Sequence, residues 1–144
     1  MVVNPNNWHW VDKNTLSWSQ QYFEEKLPQL QVEDAGRRVV VTRVSNITGD
    51  SNVSQRKGKP ICYFDLQIAL EVAVLQGSDE LASGSLNVPE LAHDEKPEIR
   101  CSQGGFGEHQ EIVETQFYPL LLAALLQYQP DLLEAHGSAL GSSI

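Results

Sequence analysis

The chain has 144 residues, 41% of them hydrophobic and 20% charged, a mix that fits one globular domain and excludes a disordered chain. Its formal net charge of −9 excludes a general nucleic-acid binder, because neutralising phosphates takes clustered Lys and Arg. The charge is polarised: residues 1–77 carry eight acids and eight bases, whereas residues 78–144 carry eleven acids against only Lys96 and Arg100. This predicts a neutral or locally basic working face and an acidic, solubilising end.

In chain order, Met1 to Lys13 is Asn-rich with two Trp and no apolar run, so it does not read as a signal peptide. Residues 1–11 are expected to form an extended arm, with Trp8 and Trp10 latched onto the domain's own sheet or meeting a partner. Asp12 or Asn14 can cap a helix running to about Leu27, with Leu16, Gln20, Phe23 and Leu27 on one stripe. Trp18 and Tyr22 widen that stripe, so the helix should pack on a sheet, and Pro28 should end it.

Residues 37–47 are β-branched and alternate imperfectly, as a first strand would. Gly49 to Lys59 reads as a loop, with three of the chain's ten basic residues at Arg56, Lys57 and Lys59. A short basic run is most often solvated surface; here a long strand leads directly out of it and would hold it firmly. Over residues 61–75, Cys62, Phe64, Leu66, Ile68, Leu70, Val72 and Val74 share one face, with Tyr63, Asp65, Gln67 and Glu71 on the other. Strict period two over that length predicts a long, half-buried antiparallel strand. Residues 81–88 and 97–103 are shorter candidates, separated by Pro89, which cannot donate to a central ladder.

Helical spacing returns over residues 108–128, where Pro119 should kink or split it; Pro130 can open a last segment to His136, stopped by Gly137. Residues 137–144 read as a flexible tail on a single domain of residues 1–136. The expected fold class is α+β: an N-terminal helix, a four-stranded antiparallel meander, and a long kinked C-terminal helix.

No catalytic constellation presents itself. Gln103 to Gly107 lacks the spacing of a dinucleotide site, and His9, His93, His109 and His136 show no ligand spacing. Cys62 and Cys101 are too few and too far apart to read as a disulfide framework. The apolar stretch Phe117 to Leu126 is too short to span a bilayer. The reading is a cytoplasmic protein with no metal, no cofactor and no membrane or nucleic-acid partner.

The arm reads N-x-N-N-W-H-W at Asn4, Asn6, Asn7, Trp8, His9 and Trp10, and an R-K-G-K motif stands at Arg56, Lys57, Gly58 and Lys59. With Phe64-Asp65-Leu66, Asn87-Val88-Pro89-Glu90 and the run Asp131 to Gly137, these segments resemble the N-terminal domain of the activators of the heat-shock protein 90 ATPase, from about Val3 to Gly137. The resemblance implies a monomeric co-chaperone that acts in protein folding and the stress response and is not itself an enzyme. It would bind the middle domain of heat-shock protein 90 and remodel the loop bearing the chaperone's catalytic Arg. It also implies Arg56, Lys57 and Lys59 as the effector group, with Asp50, Ile61, Tyr63, His93 and Asp94 as neighbours on the docking face. The arm residues Asn4 to Trp10 resemble those tied in the family to nucleotide exchange. Full-length family members carry a second, C-terminal domain without counterpart here, so the chain reads as a portion of such a protein or as a short relative. The competing class is an α+β domain carrying a small ligand between sheet and helix; that would need convergent polar groups on the inward strand face, where Cys62 to Val74 offers apolar ones.

Overall fold

The computed structural model describes residues 10–56, 59–102 and 104–142. Its elements are β1 (Trp10–Asn14), α1 (Leu16–Lys26), β2 (Gln31–Asp34), β3 (Arg37–Arg56), β4 (Lys59–Gln76), β5 (Asp79–Ala92) and β6 (Arg100–Cys101), followed by α2 (Gln110–Ile112) and α3 (Tyr118–Ser142). The expected α+β class holds. The meander β3-β4-β5-β6 carries the four expected strands, and β1 and β2 both add to the free edge of β3, making six. These two strands escape a sequence reading because they are only five and four residues long and mostly polar.

The segment Gly49 to Arg56 is strand rather than the expected loop, paired residue for residue with Leu66 to Lys59. Its Gly, Asp, Asn and Ser have poor strand propensity, but cross-strand pairing overrides that preference. Ser51, Val53 and Gln55 alternate inward and are buried. The ladder shifts register near Thr42 and Ser45, which explains the imperfect alternation of residues 37–47. The hydroxyls of these two residues donate to the carbonyls of Glu71 and Ala69, so both irregularities keep acceptors satisfied. Pro89 is tolerated inside β5 because it falls where the β4/β5 register shifts between Leu66 and Ile68.

The period-two face of β4 is the core: Cys62, Phe64, Leu66, Ile68, Leu70, Val72 and Val74 are all buried. They face Phe23 and Leu27 of α1 and Phe117, Leu121, Leu125, Tyr128 and Leu132 on the C-terminal side, so both helices cover one side of the sheet. At about 1.5–3 kcal/mol for each fully buried large side chain, this face carries most of the stabilisation. The N-cap of α1 is Thr15, which makes no side-chain capping bond, rather than the expected Asp12 or Asn14; Asn14, one residue earlier, accepts from the Leu16 N–H through its side chain. A 3₁₀ turn containing Pro28 then ends the helix. As expected, α1 packs on the sheet, through Phe23 and Leu27, while Trp18 and Tyr22 remain partly exposed and stack beside α3.

Pro119 does split the C-terminal pattern. A π-helical turn, Val113–Phe117, separates α2 from α3 just before the residue that lacks an N–H. Pro130 does not open a new segment, and Gly137 does not stop one: α3 continues through both to Ser142. Pro130 and the Leu126 carbonyl side of the helix face solvent, where water can satisfy the acceptor left without a donor.

Four polar side chains meet inside the core. Tyr128 Oη bonds to the Ser51 hydroxyl at 2.8 Å and to that of Ser19, while the Thr15 hydroxyl lies 2.7 Å from that of Ser51. Ser19 also donates to the Thr15 carbonyl at 2.8 Å. This cluster ties α1, β3 and α3 together, and its members satisfy one another, as buried hydroxyls must.

Candidate partner-docking surface

The β3/β4 ribbon positions the site. Its register pairs Arg56 with Lys59, Ser54 with Ile61, Asn52 with Tyr63, and Asp50 with Asp65. Because side chains alternate, Ile61 and Tyr63 must point away from the face that buries Cys62 and Phe64. Each is 49% exposed, against 37% for Leu81 and 47% for Leu126. A pair of half-exposed apolar groups at one end of a sheet face, directly behind the cationic positions, is what a protein-docking patch needs.

The chain turns past the end of β5 to complete the patch. The His93 N–H donates to the Phe64 carbonyl at 3.3 Å, and its ring lies edge-on to Tyr63 with centroids 5.3 Å apart. Asp94 has a left-handed φ of 61°, uncommon without glycine. Gln129 of α3 holds it there: the Asp94 N–H donates to Gln129 Oε1 and Gln129 Nε2 donates to Asp94 Oδ1, both at 2.9 Å. Two atoms beside the patch, Asp65 Oδ1 and His93 Nδ1, are buried without a hydrogen-bond partner. Such atoms cost about 1–3 kcal/mol each and cluster where a fold serves something other than its own stability.

The structure therefore brings Asp50, Ile61, Tyr63, His93 and Asp94 to one end of the ribbon, with Arg56 and Lys59 opposite each other at its tip. Lys57 lies outside the described residues, as do Asn4, Asn6, Asn7, Trp8 and His9 of the arm. The Trp10 backbone opens β1 and pairs with Arg56, so this last residue of the arm motif stands at the tip. The sequence reading missed Asp12, Asn52, Ser54 and Asp65. Ser54 donates to Asp12 Oδ1 across β1 and β3, and Asn52 stands opposite Tyr63. Only the period two around Val53 hinted at them, since no sequence pattern reveals which strands pair.

Burial, with the Asp94 carboxylate adding to it, pushes the Cys62 thiol up, so it behaves as a neutral packing group. Among the described residues no group of three or more His, Cys, Asp or Glu is placed to hold a metal. The interface between sheet and helices, where a carried ligand would sit, is filled by side chains such as Phe64, Leu66, Phe117 and Tyr128.

The family model described as activator of Hsp90 ATPase, N-terminal, matches residues 12–136. The chain is similar to the Hsp90 co-chaperone HCH1 of Saccharomyces cerevisiae, at 48% identity over 94% of this chain and 95% of that protein. It is also similar to the Hsp90 co-chaperone AHA1 of the same yeast, at 37% identity over 96% of this chain and 43% of AHA1. In three dimensions it resembles the crystal structure of Aha-1 from Plasmodium falciparum, with a TM-score of 0.75 over 89% of this chain and 90% of that one. At 20% identity that likeness bears on the fold alone.

Proposed function

Because this chain belongs to the family of Hsp90 ATPase activators, of which the N-terminal model spans residues 12–136, we propose that it is a co-chaperone that stimulates the ATPase of heat-shock protein 90. In this reading it is a monomeric cytoplasmic domain of residues 1–136 and performs no chemistry of its own. It docks on the chaperone's middle domain through the tip and outer face of the β3/β4 ribbon. Arg56, Lys57 and Lys59 contact the loop bearing the catalytic Arg, and Ile61 and Tyr63 supply apolar area, with Asp50, His93 and Asp94 at the rim. The single observation that carries this is the half-exposure of Ile61 and Tyr63 on the same strand as the basic tip. Trp10 pairs with Arg56 at that tip, and the arm residues Asn4 to Trp10 serve nucleotide exchange and chaperone cycling.

Mechanistically, the co-chaperone shifts a population. It binds the ATPase-competent arrangement of the catalytic loop better than the incompetent one, and a tenfold rate gain needs about 1.4 kcal/mol of such preference. The test is a chaperone ATPase titration with the wild-type chain and with Lys57→Ala, at low and at high salt. Lys57→Ala should abolish stimulation, and wild-type affinity should fall as salt screens the cationic contact. Full stimulation by the variant would refute the role of the tip.

A further inference from the structure

On the opposite side of the sheet, the solvent face of the two helices carries a groove that the docking reading does not use. One stretch, about 410 Å³, is lined by Trp18, Tyr22, Lys26, Asp131, Glu134 and Ala135. It continues into a second stretch of about 330 Å³ that shares Tyr22, Lys26 and Asp131. The Trp18 and Tyr22 rings stack with centroids 5.0 Å apart and planes 24° apart, forming a shelf along α1. The edge of the shelf is fixed: Tyr22 Oη donates to Asp131 Oδ2 at 2.5 Å, and Gln127 Nε2 donates to Asp131 Oδ1 at 2.9 Å. Beneath, His136 packs edge-on to Trp18 with centroids 4.8 Å apart. One side of the groove is thus aromatic and the other carries the carboxylates of Asp131, held by its two hydrogen bonds, and of Glu134.

A π-face beside carboxylates is the arrangement that takes a cation, and the chain itself demonstrates it. Lys26 Nζ already lies over the Tyr22 ring, 5.9 Å from its centroid. Neither Lys26, Asp131 nor Glu134 makes an ion pair among the described residues, so the ammonium occupies the ring face without neutralising the acids. The surrounding half of the chain, residues 78–144, holds the whole net charge of −9, which draws positive partners toward this side.

We propose that the α1/α3 groove binds an arginine side chain from an extended basic segment of a partner protein. The guanidinium plane stacks on the Trp18/Tyr22 shelf while its N–H fork reaches Glu134 and the free lone pairs of Asp131. Arginine fits better than lysine, because only its planar fork can stack and bridge at once. Lys26 competes for the same ring face and is displaced on binding. Since Ile61 and Tyr63 lie on the other side of the sheet, this segment and the ribbon's partner can be held together.

The test is a titration of the ¹⁵N-labelled full chain with acetylated, amidated Gly-Arg-Gly-Arg-Gly, followed by amide and indole chemical shifts. The Trp18 indole N–H and the backbone amides around Trp18, Tyr22, Asp131 and Glu134 should move. Glu134→Gln, a change at an exposed position, should weaken binding by roughly threefold, as loss of one exposed ion pair does. Lys26→Ala should strengthen it, while Glu111→Gln and Lys57→Ala should leave it unchanged. Shifts spread over all acidic surfaces, equal responses to Glu134→Gln and Glu111→Gln, a weakening by Lys26→Ala, or no shifts at all would each overturn the proposal. None of these results touches the ATPase test of the ribbon, so the two readings fail separately.

Discussion

Gly49 sits in β3 with a φ of +122°, and a Cβ built on it would lie 2.1 Å from the Asp65 carbonyl oxygen. Both facts demand glycine: the backbone conformation strains any L side chain, and the contact is with main chain that cannot swing aside. Gly49→Ala should cost about 1–3 kcal/mol for the conformation alone, and more for the clash. A urea melt would show this as a lower midpoint at unchanged slope; an unchanged midpoint would mean the strands separate here. Asp50 follows directly and is opposite Asp65, so the same substitution should disturb the outer face of the ribbon, where docking is proposed. A residue that looks like a loop marker in the sequence is thus what lets two strands pass close enough to continue as a ribbon.

At the scale of elements, β4 is paired on both sides only from Asp65 onward, where Ala92 of β5 stands opposite. Toward the tip its outer edge has no partner strand among the described residues, and the last tie is the His93 N–H on the Phe64 carbonyl. Main-chain groups alternate sides in an antiparallel ladder, so Phe64 and Cys62 direct their N–H groups to the open edge while Ile61 and Tyr63 direct theirs to β3. Native-state hydrogen exchange should therefore alternate, with Cys62 and Phe64 exchanging faster than Ile61 and Tyr63, and β4 beyond Leu66 slowest of all. Uniform protection along residues 61–64 would contradict the open edge. The strand itself was plain in the sequence, because seven apolar residues at strict period two admit no other reading. The length of β3 was not, because the polar stretch after Gly49 carries no hydrophobic signal and pairing with β4 holds it extended. The same limit hid β1 and β2. For the site, Arg56, Lys57 and Lys59 stood out by charge, and Ile61 and Tyr63 by period. Asn52, Ser54 and Asp65 became visible only once the register was known.

For the molecule as a whole, three phenols link stability to alkaline pH. Burial, then the bonded Asp131, raises Tyr22; burial, then the Cys101 and Glu114 neighbours, pushes Tyr118 up to about 12; burial also raises Tyr128. A phenol whose folded pKa is raised favours the folded state while it stays protonated. Unfolded tyrosines ionise near about 10, so stability is full below that pH and is lost as pH climbs through about 12. Thermal midpoints should hold up to about pH 10 and then fall, and Tyr118→Phe should make the fall shallower; a flat midpoint up to pH 12 would contradict the burial of these rings. The open edge of β4 has one further consequence. By the same alternation, Pro60 turns toward that edge, and it brings no N–H there, while Lys59 beside it is charged and exposed. A second copy of the ribbon laid alongside would find a missing donor and a repelling cation where its first rung should form. An apolar face and a strand margin unpaired among the described residues thus stand beside a built-in obstacle to edge-to-edge zippering.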